Sequence, residues 1–532
     1  MLVSFRNQLI DSEIDQLLAV ASANNVRKPP DFGGGSAMVS DMDLDPAACH
    51  RAMLARDMRY DGRFFTGVTS TGIYCRPVCP ARPPKIENCR FFPAAAAAQE
   101  AGFRPCLRCR PESAPDLGAW RGTSSTVSRA LALIDAGAME ENDVDALAGR
   151  LGMGERQLRR LFRQHLGASP VAVAQTRRVL LAKQLLHETR LPMTQVALAS
   201  GFGSVRRFNE TFQSLYGRPP RALRRLQGAD AAEGAAFSLL LPYRAPFDWD
   251  GLITFFGSRA IPGVEWVEDR RYGRTIALDS AIGTIDVGHD PARGAVRATI
   301  DFPRPTALPA IIARIRRLFD LAADPVVIGA HLSADPALAP LVGVRPGLRV
   351  PGAWDGFELG VRAILGQQIS VGAATRLIGR LAARWGTPTS SGRIVFPTPA
   401  QLSHADIASL GMPQARGDAV VALARAVVAD TRLFDTRQDL DTAITTLCSL
   451  PGIGPWTANY IAMRALRESD AMPTGDVGLL RALAKDGTRP SADDLTARAE
   501  GWRPWRAYAA LHLWASDPAA PAIKRTDDAP QT

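Results

Sequence analysis

Between Ile444 and Asp476 the chain has few backbone geometries open to it. Ile444, Leu447 and Leu450 recur at helical spacing, and Pro451 with Gly452 and Gly454 ends that helix. The two glycines permit a tight turn whose backbone N–H groups can approach a phosphate with no Cβ in the way. A second helix opens near Trp456 and carries Ala458, Tyr460, Ile461, Ala462 and Met463. The loop Met472-Pro-Thr-Gly-Asp476 then places a carboxylate at the mouth of a cleft. Helix, Gly-x-Gly hairpin, helix is a sequence-blind grip on a nucleic-acid backbone.

At 532 residues the chain is too long for one core and predicts several domains. A formal charge of +10 favours a polyanionic partner, although a basic surface also serves solubility. Seven cysteines make no disulfide framework, and no apolar run approaches membrane-helix length. No basic region followed by an apolar core marks a signal peptide. The expected compartment is a reducing bacterial cytoplasm, with the protein associated with the nucleoid and no membrane partner. Residues 1–41 read as a disordered leader with a short amphipathic helix at Ile10–Val20. Residues 521–532 read as a tail.

Residues 46–112 form the first unit, with a helix over Ala47–Arg59 and short strands around Phe64, Phe65, Val68 and Ile73. Cys75, Cys79, Cys106 and Cys109 form two close pairs with the spacing of a tetrahedral zinc site. Seven basic residues between Cys75 and Arg110, Arg76 and Arg108 among them, suggest a phosphate-facing rim. Spacing alone fits a plain structural zinc knuckle. The words Thr71-Gly-Ile-Tyr-Cys75-Arg-Pro-Val-Cys79 and Ala101-Gly-Phe-Arg-Pro-Cys106-Leu-Arg-Cys109 resemble the N-terminal methyl-phosphotriester domain of the Ada family. That resemblance implies that Cys75 accepts a methyl group. Zinc would hold Cys75 as a thiolate, and methylation would reduce a site charge of about −2 to about −1. Cys49-His50-Arg51 is similar to an alkylguanine-transferase acceptor motif, but Ala48 replaces its proline and that domain is missing. Cys89 is expected on a strand, and Cys448 in the core before the hairpin.

Residues 125–226 are helical by periodicity, with 15 Lys or Arg between Arg150 and Arg225 against Glu155, Glu188 and Glu210. Two helix-turn-helix patterns appear, with second helices at Gly154–Gln164 and Ser204–Phe212. Their Leu and Phe positions face inward, leaving Arg156, Arg159, Arg160, Arg206 and Arg207 for a DNA groove. Down to Tyr216-Gly-Arg-Pro-Pro220, this resembles the AraC-type DNA-binding domain.

Residues 237–345 read as α+β, with strands at Phe237–Leu241, Gly263–Trp266, Thr275–Leu278, Thr284–Val287 and Val296–Ile300. Helices are expected at Pro309–Phe319 and Asp324–Leu332. Residues 346–520 read as all-helical. The hairpin Leu450–Gly454, Trp456, Tyr460 and Asp476 resemble the helix-hairpin-helix glycosylase superfamily, most closely AlkA-type 3-methyladenine DNA glycosylase II. The resemblance implies that Asp476 is catalytic and that Trp456, Tyr460, Trp514 and Phe255 line a base pocket. Phe255 has an equal claim as a core residue, and Asp476 as a helix N-cap. Gln368 stands where the family has a duplex-wedging leucine. Trp456 stands where strand-cleaving members have lysine, which implies base removal only. No cysteine follows Cys448, so the iron–sulfur loop of some relatives is missing.

The expected architecture is multidomain and mainly α with α+β parts: a small zinc α/β domain, an all-α double helix-turn-helix domain, an α+β AlkA N-terminal domain and an all-α helix-hairpin-helix domain. The expected function joins excision of alkylated bases, with no cofactor, to a Zn²⁺-dependent methyl acceptor and a transcription regulator. The alternative is a methylation-activated transcription factor with a weak or inactive glycosylase. Partners are double-stranded DNA, at damaged and promoter sites, and RNA polymerase.

Overall fold

A computed structural model describes residues 44–115, 125–135, 143–224, 236–434, 439–484 and 488–517, with Gly137 and Met139. The expected leader, its helix and the tail lie outside the described residues. No described helix is long and apolar enough to cross a membrane.

Asp45 caps the first helix, Pro46–Leu54, by accepting from the backbone N–H groups of Ala47 and Ala48. The helix ends sooner than its sequence suggests. Arg56 takes a φ of 48°, and Asp57 then caps a separate 3₁₀ turn, Met58–Tyr60, through the Arg59 N–H. Strands β1 (Phe65–Val68), β2 (Ile73–Cys75), β3 (Cys89–Phe92) and β4 (Arg104–Pro105) form a sheet in the order β3-β1-β2-β4. The β2–β4 pairing is parallel, with Tyr74 opposite Pro105, and it brings Cys75 beside Cys106.

The two helix-turn-helix units flank one long helix, Pro170–Glu188, capped by Ser169. Their second helices, Glu155–Leu166 and Val205–Tyr216, bury Leu158, Phe162 and Leu166, and Phe208, Phe212 and Tyr216. The α+β unit is an antiparallel sheet in the order β5-β9-β8-β7-β6, from β5 (Ala236–Pro242), β6 (Glu265–Glu268), β7 (Arg271–Leu278), β8 (Ala281–Asp290) and β9 (Ala295–Asp301). All five expected strands are present, and both expected helices, at Leu308–Leu318 and Pro325–Leu332.

The hydrophobic cores cross these sequence units. Phe65, Tyr74, Phe92 and Phe103 of the cysteine unit share a core with Leu158 and Phe162 of the first helix-turn-helix. Phe208 and Phe212 of the second share one with Leu239, Ile285 and Phe319 of the α+β unit. Ile261 and Val264 join the core of the C-terminal helices.

Buried ions fasten the same joints. Arg274 donates to Glu358 (2.7 Å), and Arg362 bridges Glu358 and Glu265 between the sheet and the C-terminal helices. Burial would raise the Glu358 carboxyl, but Arg274 and Arg362 bring it down to about 2. Lys183, fully buried on the long helix, donates to Glu112 and to the Cys106 carbonyl, both at 2.9 Å. Burial would also raise Glu112, but Lys183 beside it lowers it below the ordinary carboxylate range.

Removing one partner of a buried pair costs up to about 3–5 kcal/mol, and Lys183→Met leaves the buried Glu112 with Arg110 alone, at 3.2 Å. Lys183→Met is therefore expected to destabilise the chain far more than Lys183→Met combined with Glu112→Gln. A double-mutant cycle in urea unfolding checks this; additive effects would contradict the pairing.

Candidate active site and metal centre

Asp476 is the N-cap of the helix Val477–Ala482. Its Oδ1 accepts from the N–H groups of Gly478 (2.8 Å) and Leu479 (3.1 Å) and from the Trp514 indole (2.8 Å). Its Oδ2 accepts from the Trp456 indole at 2.7 Å. Trp456 lies on the helix Pro455–Arg464 and Trp514 on Arg506–Ser516, so three helices meet at one carboxylate. The N-cap expected as an alternative to catalysis is present along with the indole contacts.

Trp456 and Tyr460 stack with centroids 5.2 Å apart and planes 9° apart, and Trp514 meets Tyr460 edge-on at 6.4 Å. Phe255 joins this group through a cation. The Arg464 guanidinium lies 4.7 Å from the Phe255 centroid and 5.2 Å from that of Tyr460, and Arg259 lies 4.0 Å from Phe255. Phe255 is therefore covered by guanidinium, and its placement is closer to a supporting wall than to an open stacking face. Burial would raise the Tyr460 phenol, but Arg464 and Arg259 bring it below its ordinary value.

Arg464 was not among the expected site residues. It donates to the carbonyls of Pro351 (2.8 Å) and Gly352 (3.1 Å) and to the Tyr460 hydroxyl. The only available signal was one charge after the apolar run Ile461–Met463. Asn459 was also missed. Its Oδ1 accepts from the Met472 N–H (3.1 Å) and ties the Asp476 loop to the tryptophan helix.

The hairpin has the expected form. Gly452 has a φ of 76°, and a Cβ there would lie 2.5 Å from the Ala419 Cβ. A Cβ at Gly454 would meet nothing within 4 Å, so the first turn of the next helix faces open space. Gln367 donates to the Gly452 carbonyl (2.9 Å) and to Thr457 Oγ1 (3.1 Å), which fixes the neighbouring loop. On that loop Gln368 is exposed at a φ of 58°. Left-handed backbone at a non-glycine residue costs about 1–2 kcal/mol.

The Sγ atoms of Cys75, Cys79, Cys106 and Cys109 lie within 4.8 Å of one another. Four thiolates around a tetrahedral zinc stand about 3.8 Å apart, given Zn–S bonds near 2.3 Å, so this set fits one Zn²⁺. The Arg76 and Arg108 backbone N–H groups donate to Cys109 Sγ (3.3 Å) and Cys106 Sγ (3.4 Å). Cys79, Cys106 and Cys109 are buried residues, while Cys75 is half-buried.

Arg76 does not form part of an outward rim. Its guanidinium turns inward to pair with Asp61 and to donate to the Cys109 carbonyl (3.0 Å) and Ser113 Oγ (2.6 Å). Arg108 is exposed. Arg156, Arg159, Arg160, Arg206 and Arg207 are all exposed on the two second helices. Glu155 pairs with Arg159 and Glu210 with Arg206. Arg156, Arg160 and Arg207 have no carboxylate partner among the described residues. Cys49 is buried, and burial raises its thiol to about 11, which makes it a poor nucleophile.

Four family models match in series: metal binding domain of Ada (residues 48–112), helix-turn-helix domain (147–226), AlkA N-terminal domain (238–355) and HhH-GPD superfamily base excision DNA repair protein (361–507). The chain is similar to a probable bifunctional transcriptional activator/DNA repair enzyme AlkA of Mycobacterium tuberculosis, at 42% identity over 89% of this chain and 97% of that protein. It is 36% identical to the DNA-3-methyladenine glycosylase 2 of Escherichia coli over 52% of this chain and 95% of that one. It is also 36% identical to the bifunctional transcriptional activator/DNA repair enzyme Ada of E. coli, over 29% of this chain and 41% of that one. With its four matched domains in this order, the chain belongs to the family of the AlkA-type bifunctional transcriptional activator/DNA repair enzymes.

Proposed function

We propose that this chain hydrolyses the N-glycosidic bond of alkylated bases such as 3-methyladenine, with Asp476 as the catalytic carboxylate. The observation that carries the reading is the hold on Asp476. Three donors saturate Oδ1, whereas Oδ2 receives one indole among the described residues and keeps a lone pair for water or for the reacting sugar. A base must leave the duplex to be reached. The stacked Trp456 and Tyr460 rings offer a π face to a base that carries positive charge after alkylation. That charge makes the base a good leaving group without acid assistance. Asp476 then stabilises the oxocarbenium-like sugar and orients the attacking water. With tryptophan at 456 instead of an amine, no Schiff base forms and the strand stays intact. Gly452 and Gly454 hold the backbone, and Gln368 fills the space beside the flipped base.

In the N-terminal unit Cys75 is the methyl acceptor. Bound zinc supplies a thiolate at neutral pH. The sulfur attacks the methyl carbon, the C–O bond breaks, and the phosphotriester leaves as a phosphodiester anion. The thioether is neutral, so the site repels DNA less. The arginines of the two helix-turn-helix units would then hold a promoter and recruit RNA polymerase on the nucleoid. A regulator with a weak glycosylase is the second reading, and the cluster of Cys75, Cys79, Cys106 and Cys109 favours the regulator half of it equally.

Asp476→Asn is expected to lower single-turnover base release from methylated duplex DNA by at least about 10²-fold. Asparagine also caps helices well, so the variant should fold and still bind promoter DNA after methylation. Equal release by both proteins would rule out Asp476, and no release by wild type would leave the regulator reading. Cys75→Ala, or removal of zinc by a chelator, should abolish methylation-dependent promoter binding and spare base release. Persistence of that binding in Cys75→Ala would exclude Cys75 as the acceptor.

A further inference from the structure

The helix Val371–Trp385 buries Ala374, Leu377, Ile378, Leu381 and Ala382 and turns Arg376, Arg380 and Arg384 to solvent. Spaced four apart, the three arginines form a row roughly 12 Å long, the axial length over which one DNA strand presents three to four phosphates. Some exposed arginines elsewhere are paired, Arg59 with Asp57, Arg159 with Glu155, Arg206 with Glu210 and Arg270 with Asp250, and others, Arg156, Arg160 and Arg207 among them, are open like this row. In this row no carboxylate partner exists among the described residues. Arg384 touches Ser409 Oγ (2.8 Å) and the face of Trp385. Arg376 folds back along the first turn, its Nη1 3.5 Å from where a Cβ on Gly372 would lie.

The position of the row points to its partner. The helix starts at the exposed tip Gln368–Gly372, which includes the apolar Ile369 and Val371. Gln367 ties that tip to the Gly452 carbonyl and to Thr457, one residue from the tryptophan that holds Asp476. A duplex engaged by the hairpin and the tip would therefore continue along this helix.

We propose that Arg376, Arg380 and Arg384 form a second phosphate-binding rail, separate from the hairpin, that holds duplex DNA flanking the lesion during base release. The proposal rests on the glycosylase reading above. The test is single-turnover base release from a methylated, promoter-free duplex by the full chain, titrated across a series of salt concentrations. In a variant carrying Arg376→Gln, Arg380→Gln and Arg384→Gln, the effect should fall on half-saturation rather than on the saturating rate. The slope of log affinity against log salt should become shallower by about 0.9 for each lost phosphate contact. The corresponding triple lysine variant should restore most of the slope, because lysine still neutralises a phosphate as a point charge. Unchanged half-saturation and slope in the glutamine variant would overturn the rail. So would a fall in saturating rate that lysine does not restore. Loss of base release from wild type would instead refute the glycosylase reading.

Discussion

Asp476 satisfies two tryptophans and a helix end at the same time. An indole N–H withdrawn from water needs an acceptor, and both Trp456 and Trp514 find theirs in this one carboxylate. The first turn of Val477–Ala482 needs an acceptor too and uses the same group. The helices carrying Trp456 and Trp514 are therefore held at the distance set by one carboxylate. The two indoles and the carboxylate cannot move independently. Asn459 and Gln367 extend this rigid unit to the Asp476 loop and to the hairpin. A few hydrogen bonds thus set the carboxylate, the aromatic rings and the hairpin in fixed register, the arrangement on which the proposed base release depends.

The N-terminal half is joined to the rest by burial as well as by chain. Lys183 donates both to Glu112 and to the Cys106 carbonyl, so the loop of a metal ligand and the long helix of the DNA-binding unit share one ammonium group. Arg110 pairs with Glu188 at the end of that helix, and Glu188 accepts from the Leu240 N–H on β5. Arg63 reaches Asp324 at the start of Pro325–Leu332. Because these contacts are largely desolvated, they hold their geometry more firmly than surface pairs do. The cysteine cluster, the DNA-reading helices and the α+β unit thus form one interlocked body.

Much of this was legible in the sequence wherever a period or a spacing carried it. The five strands of the α+β unit, the paired second helices, the cysteine tetrad and the Gly-x-Gly turn each follow from such a pattern. What was not legible depends on partners distant in the chain. Arg76 looks like a rim residue beside Cys75, but Asp61 and Ser113 draw it inward. Phe255 reads equally as a pocket aromatic or a core residue, and its contact with Arg464, from the far side of the chain, is not visible in the sequence. The first helix stops early because Asp57 starts a new cap, a local competition that periodicity does not register. The Glu155–Arg159 and Glu210–Arg206 pairs were within reach of sequence reasoning, since both lie four residues apart.

Net charge favours a polyanionic partner but does not say where it binds. Among 63 basic and 53 acidic residues, many exposed charges pair with a neighbour of opposite sign, as Arg159 does with Glu155 and Arg206 with Glu210. An exposed ion pair contributes at most about 1 kcal/mol to stability, but it changes what an arginine can do for a ligand. A phosphate approaching Arg159 must first displace Glu155, whereas one approaching Arg160 displaces only water and counterions. Pairing is therefore a better locator of a DNA face than charge. By that criterion Arg156, Arg160 and Arg207 are the open arginines on the two second helices. In the glycosylase half the same criterion selects the outer face of Val371–Trp385, which starts at the tip fastened to the hairpin.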